Sequence, residues 1–459
     1  MMGPGSNVVL ITVDTLRKDH LPTYGYPHDT APFLAKFAED SVTFDRMYSQ
    51  YVCTPPAMAS LMTGRVPSFL GTDGWNPCTY HGLSRFFEDR EERGVPRALP
   101  VLAERFKGAG FGTAALMAHN IHLLESRGFA KGFDHFEAIA FGRTTRGSDV
   151  VRKAVTWLDS RGQDPFFVWL HFMDVHPPIQ LPPPFDRAFP RGYMSGDNID
   201  GEVSDQMLKM QLVGYFNKLD PRTVVKLRGG RKAALQDVME HYQGLYDGAI
   251  HFLDMCLENL FSYFKRRGLY DRTLWVFTSD HGEEFLEEGY IGHNSFSHGP
   301  LRLVQVPFIL RPPGRVPGAR GKRVSGTARL VDVFPTLMEA AGLPCPDSDG
   351  ASLWPMIAGK VEPKRLQHMN LMAEEKLHII YADDVKYVCS LEIGWERMTD
   401  LRTGKAIEGP SEEPGGLLER FRAERDRFLE RTRSGHVRAP APPLDAGMRS
   451  HLRALGYID

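Results

Sequence analysis

The chain has 459 residues, with 55 Lys and Arg against 57 Asp and Glu and a formal net charge of −2. A balanced charge gives no electrostatic footprint for nucleic acid or an anionic membrane, so neither partner is expected. Hydrophobic residues make up 42% and charged residues 24%, an ordinary globular composition with room for one large domain and a smaller one. The first strand is expected at 7–13, NVVLITV, a short β-branched run that suits a strand buried on both faces, and it ends at Asp14. A helix follows over 32–40. In YVCTPPAMASLMTGR, Cys53 and Thr54 precede Pro55-Pro56, and a helix over 57–62 stops at Gly64. A hydroxyl or thiol at a helix N-terminus lies where N–H groups favour an anion, although the stretch also fits a plain Pro-capped surface helix. Further strands are expected at 112–117, 166–172, 273–279 and 306–311, and helices at 98–109, 146–161 and 232–267. Strands alternating with helices imply an α/β fold with a mostly parallel sheet. The irregular span 181–232 reads as a lid insertion or a dull surface excursion.

After Leu330 a helix runs to Gly342 and Pro344. Closely spaced strands from His368 (377–381, 385–391 and 395–400) predict an antiparallel sheet. A charged helix at 417–431, a stiff linker at 439–443 and a last helix ending at Gly456-Tyr457 complete the chain. The expected division is a catalytic domain over 1–365 and a C-terminal α+β subdomain over 366–459. The five cysteines, Cys53, Cys78, Cys256, Cys345 and Cys389, contain no CxxC pair, which argues against a disulfide framework and a cysteine zinc site. The N-terminus lacks a basic segment before a long apolar run, and no apolar stretch reaches membrane-spanning length. A cytoplasmic enzyme without signal peptide or transmembrane segment is the expectation.

The strand ends carry the chemistry. Asp14 follows the first strand; His119, Asn120 and His122 follow the second; Asp174 and His176 follow the third. Asp280-His281-Gly282-Glu283 follows the fourth, with His293 and His298 close behind. Each residue alone is an ordinary structural or surface group. Together they deliver carboxylates and imidazoles to one sheet edge, which is what a divalent cation needs.

These residues stand in motifs that resemble the sulfatase family, a branch of the alkaline phosphatase superfamily. VVLITVDTLRKDHLPTYGY resembles its first strand and metal loop, TPPAMASLMTGR its nucleophile helix, and WLHFMDVHPP and FTSDHGEEF its later site strands. RLVDVFPTLMEAAGLP and LRALGYID are similar to its C-terminal elements. The resemblance implies an alkaline-phosphatase-like α/β/α sandwich followed by a smaller four-stranded domain with a helix. It implies one divalent metal held by Asp14, Asp280 and His281. It further implies that Asn120, His122, His176, His293 and His298 bind the anion's oxygens or protonate the leaving group.

Two departures qualify it. Where the family has a second acidic residue after the first strand, this chain has Thr15. That weakens a calcium site and, with His281, favours Mn²⁺ or Zn²⁺ over Ca²⁺ or Mg²⁺. The Cys-x-Pro-x-Arg motif for formylglycine lacks its Arg: Ala57 stands there if Cys53 leads, and Met58 if Thr54 leads. Counting back from Thr63-Gly64 places Thr54 in the nucleophile position. Thr54 resembles the threonine of nucleotide pyrophosphatase/phosphodiesterases and of phosphoethanolamine and glycerophosphate transferases.

A phosphothreonine can be attacked by water at phosphorus, whereas a sulfated threonine lacks the second hydroxyl by which a formylglycine hydrate expels sulfate. The expectation is a metal-dependent hydrolase of small phosphate (diester or phosphonate) or sulfate esters, with Thr54 as nucleophile and His176 and His298 assisting. Open alternatives are a sulfatase using Cys53 as formylglycine, a two-metal site including Asp174, His176 and His298, and a catalytically silent anion-binding protein. A homo-oligomer stays open.

Overall fold

The computed structural model describes residues 6–67, 95, 99–118, 120, 122–139, 146–190, 199–213, 218–227, 231–293, 298–314, 316, 318–360, 366–372, 376–382, 384–407 and 416–434. His119, the expected boundary at 365, the linker at 439–443 and the last helix lie outside them.

The strands in chain order are β1 (Asn7–Val13), β2 (Val42–Tyr48), β3 (Gly112–Ala118), β4 (His135–Ile139), β5 (Phe166–Phe172), β6 (Val224–Lys226), β7 (Lys232–Ala234) and β8 (Thr273–Ser279). They continue with β9 (Glu284–Phe285), β10 (Ile291–Gly292), β11 (Gln305–Val306), β12 (Phe308–Arg311) and β13 (Lys322–Arg329). The C-terminal strands are β14 (Gln367–Met372), β15 (Lys376–Ala382), β16 (Val385–Ser390) and β17 (Glu396–Asp400). In the central sheet β8, β1, β5, β3 and β4 are successive parallel neighbours. β12 runs antiparallel to β8 and to β2, and β13 pairs parallel with β2.

Alternate side chains of β1 enter two cores. Val9, Ile11 and Val13 pack towards Leu245, Tyr246 and Phe261 of the long helix Leu235–Arg266. Val8 and Leu10 pack towards Leu61, Phe106 and Phe334 on the opposite face. A sheet covered by helices on both faces has buried strands, which is why β1, β5 and β8 are continuous apolar runs. The architecture is an α/β/α sandwich with a mostly parallel central sheet.

The helix Thr54–Thr63 begins at Thr54 because Pro55 and Pro56 suit a first turn, and it ends where Gly64 turns left-handed at φ 69. Within the span 181–232 the chain forms a short turn at Phe185–Arg187, a helix at Ile199–Val213 and strand β6, which pairs antiparallel with β7. The turn rests directly on the long helix: a Cβ at Gly248 would stand 2.2 Å from the Phe185 carbonyl oxygen.

β14 to β17 form a separate antiparallel meander. Ile380, Tyr387 and Met398 pack with Phe421 of the helix Leu417–Ser434. Met369, Ile379 and Tyr381 pack with Tyr48, Tyr51, Val52, Cys53 and Ala57. The small sheet therefore sits against the entry to the Thr54 helix. The cysteines depart from expectation at one point, since Cys53 is disulfide-bonded, while Cys256, Cys345 and Cys389 are free. Among the described residues no helix is long and apolar enough to cross a membrane.

Candidate active site

The site lies at the C-terminal ends of β1, β3, β5 and β8, the edge where open α/β sheets collect ligands. Asp14, Asp280 and His281 are fully buried, and one ligand atom from each lies within 4.8 Å of the others. The Thr54 hydroxyl donates to Asp14 Oδ2 at 3.2 Å and stands 3.3 Å from His281 Nε2. Asn120 Nδ2 also donates to Asp14 Oδ2, at 2.8 Å. Asp280 Oδ1 accepts from the backbone N–H groups of His281 and Thr15 at 2.9 and 3.3 Å. His281 Nδ1–H donates to the Gly282 carbonyl at 2.9 Å, which leaves the Nε2 lone pair facing the carboxylates.

Each carboxylate thus has one committed oxygen. The others, Asp14 Oδ1 and Asp280 Oδ2, are buried without a hydrogen-bond partner among the described residues. His281 Nε2 stands 3.8 Å from the first and 3.5 Å from the second. Orphaned buried carboxylate oxygens beside an imidazole lone pair are costly unless something compensates them. Burial and the Asp14 charge push Asp280 well above the usual carboxylate range. Burial also acts to raise Asp14, but His176, His171 and His281 outweigh it and hold it low. A divalent cation between these three atoms would remove the conflict, so the residues fit a metal.

Of the remaining candidates, His293 and His176 pack beside this cluster. The His293 ring lies 4.6 Å from that of His281 and 5.4 Å from that of His176. Glu283, itself buried, holds His293 Nδ1 at 3.2 Å. Burial opposes charge on His293, but the Glu283 carboxylate prevails and raises its pKa. Burial lowers His176, whose Nδ1–H donates to the Pro177 carbonyl at 2.6 Å. The backbone N–H of His122 donates to Asn120 Oδ1 at 2.8 Å, and its Nδ1 accepts from Arg127 at 3.2 Å. His298 meets the C-terminal sheet: its carbonyl accepts from Lys386 Nζ at 3.0 Å, and its ring lies 6.1 Å from Trp395. Asp174 Oδ1 accepts from the Gly147 N–H at 2.7 Å, and burial lifts its carboxyl to about 6.

Direct contacts therefore join Asp14, Thr54, Asn120, Asp280 and His281. His176 and His293 join through ring packing and His122 through Asn120, whereas His298 meets the small sheet and Asp174 the Gly147 N–H. Sequence reasoning gave no role to Glu283 or His171. The available signals were a second acidic residue after Asp280-His281 and a lone histidine inside an apolar strand.

The sulfatase family model matches residues 6–343. The chain belongs to the sulfatase family. It is 25% identical over 407 residues to the multifunctional alkaline phosphatase superfamily protein PehA of Trinickia caryophylli, covering 77% of each chain. It is 23% identical to an arylsulfatase of Clostridium perfringens, covering 86% of this chain and 88% of that one. Its fold superposes on the phosphonate monoester hydrolase of Agrobacterium radiobacter with a TM-score of 0.67 at 20% identity, over 93% and 96% of the two chains. This sulfatase-family protein is an ester hydrolase.

Proposed function

We propose that this chain is a metal-dependent hydrolase of phosphodiesters or phosphonate monoesters that uses Thr54 as its nucleophile. One observation carries the reading: the Thr54 hydroxyl bridges Asp14 and His281 at 3.2 and 3.3 Å. Cys53 instead packs with Tyr48, Tyr51 and Ala57 and is disulfide-bonded, which supports Thr54 over a formylglycine at position 53. Asp14, Asp280 and His281 would hold the cation, and their oxygen and nitrogen donors favour Mn²⁺ or Zn²⁺. When bound, such an ion supplies Lewis acidity and lowers the pKa of a neighbouring hydroxyl.

The residues of the chain do the rest. Asp14 Oδ2 takes the hydrogen bond of Thr54 and aligns its oxygen for in-line attack on phosphorus. As the Thr54 proton passes to Asp14 Oδ2, the acceptor of its hydrogen bond, the new Thr54 O–P bond replaces the bond to the leaving alkoxide or aryloxide. His293, whose pKa the Glu283 carboxylate raises, protonates that oxygen from its cationic form. His122 and His176 border the non-bridging oxygens. Water then gives a proton to the neutral His293 and attacks phosphorus, and the released Thr54 oxygen recovers its proton from Asp14. On the same reading residues 1–365 form the catalytic unit, and 366–459 lend Lys386 and Trp395 to the His298 loop.

Arylsulfatases among the relatives make sulfate esters the competing substrate class. The comparison is kcat/KM on matched nitrophenyl esters (a phosphodiester, a phosphonate monoester and a sulfate) with Mn²⁺ or Zn²⁺ added. The phosphorus esters are expected to lead. A clear preference for the sulfate would overturn the proposal.

A further inference from the structure

Three polar side chains lie inside the central sheet among apolar residues. Thr12 on β1 and Trp169 and His171 on β5 are all fully buried. The parallel register pairs Thr12 with His171 and Leu10 with Trp169, so the three share one sheet face. Trp169 Nε1–H donates to Thr12 Oγ1 at 2.9 Å. Thr12 Oγ1 in turn lies 2.8 Å from His171 Nδ1. The other ring nitrogen, His171 Nε2, has no hydrogen-bond partner among the described residues and stands 3.7 Å from Asp14 Oδ2.

The direction of this relay follows from what each group can do. An indole N–H only donates. Thr12 receives it at oxygen and keeps one proton to give, and His171 Nδ1 is the acceptor within reach. A neutral ring that accepts at Nδ1 carries its proton on Nε2. The opposite tautomer would strand the Thr12 proton and turn a ring lone pair towards the Asp14 carboxylate. We infer that His171 is a positioning residue, held by Trp169 and Thr12 as the Nε2–H tautomer, whose N–H edge keeps Asp14 Oδ2 towards Asn120 and Thr54 and leaves Oδ1 for the cation. At 3.7 Å the contact with Asp14 is electrostatic and not a hydrogen bond. Groups behind a ligating side chain typically change metal affinity by about 10- to 100-fold. The inference rests on Asp14 being a metal ligand, as proposed above.

Metal-free protein titrated with Mn²⁺, with the free ion followed by electron paramagnetic resonance, tests it. His171→Phe should weaken binding about 10- to 100-fold. His171→Gln, which restores an N–H near Nε2, should recover most of the loss. Thr12→Val should weaken binding and Thr12→Ser should not. The ¹⁵N resonances of metal-free wild type should place the His171 proton on Nε2, and Thr12→Val should abolish that preference. Equal Mn²⁺ affinity in His171→Phe and wild type, or a wild-type proton on Nδ1, would overturn the inference. If His171→Phe does not fold, the Thr12 pair and the wild-type spectrum decide. Wild type that binds neither Mn²⁺ nor Zn²⁺ defeats the metal reading, while the spectrum still judges the relay.

Discussion

The pKa of His293 is raised chiefly by the Glu283 carboxylate. Burial alone would lower its pKa, and Glu283 raises it above the ordinary 6.5. The sign follows: the Glu283–His293 pair contributes fully below pH 6.5 and is lost as pH rises through the raised value. A reaction that needs cationic His293 should therefore fade on the alkaline side at that same value. Glu283→Gln removes the carboxylate and leaves only the Asp14 charge against burial, so the alkaline limb of kcat/KM should move to lower pH. A pH–rate profile of both proteins checks this, and an unmoved limb would take the acid role away from His293. The ligand candidates at this scale were legible because Asp14 and Asp280-His281 directly follow apolar strands, and Thr54 stands before two prolines. The roles of Glu283 and His171 and the tie between Asn120 and Asp14 were not legible, because each depends on which distant residue faces it. The register to Gly64 points to Thr54, and the structure brings that hydroxyl to Asp14 and His281.

Individual elements show why some were easy to read. β1, β5 and β8 are buried along their whole length, so their apolar runs match the expected bounds at 7–13, 166–172 and 273–279. β2 carries half-buried Asp45 and Arg46, and β13 (KRVSGTAR) sets charged residues at both ends of a small, partly polar middle. Neither presents a run, and neither was expected. The run at 306–311 is cut by Pro307, whose missing N–H separates β11 from β12. The helix Ile199–Val213 was hidden behind a start rich in Gly, Asn and Asp. The helix Pro32–Glu39 takes its cap from another element: the N–H groups of Phe33 and Leu34 donate to Asp254 at 2.7 and 2.9 Å. Burial lifts the Asp254 carboxyl from 3.8 to about 7. Its folded form therefore favours the proton, so this contribution to stability is full below pH 3.8 and lost as pH rises through about 7. Asp254→Asn should flatten the dependence of Tm on pH across that window. Asp254→Ala, which orphans two N–H groups, should cost about 1–3 kcal/mol at acidic pH by denaturant unfolding.

Over the whole molecule, the small antiparallel sheet is tied to the α/β/α sandwich at the Thr54 end. Met369, Ile379 and Tyr381 pack on Tyr51, Val52 and Cys53, immediately before Thr54. Tyr381 donates to the Gly299 carbonyl, and Lys386 to that of His298. Burial lowers the Lys386 amine to about 8. The alternation of strands and helices made the sandwich legible, and the short strands from His368 made the second sheet legible. The docking of one on the other was not, since apolar faces in a sequence do not name their partners. The account stands on Thr54 taking the phosphoryl group within that assembled frame. The direct measurement is peptide mass spectrometry of metal-loaded enzyme quenched on the millisecond scale after mixing with a nitrophenyl phosphodiester. The account predicts a phosphoryl ester on Thr54, absent in Thr54→Ala, whose kcat/KM should fall on the order of 10³-fold or more. Wild-type turnover in Thr54→Ala, or formylglycine at position 53 carrying the adduct, would contradict it.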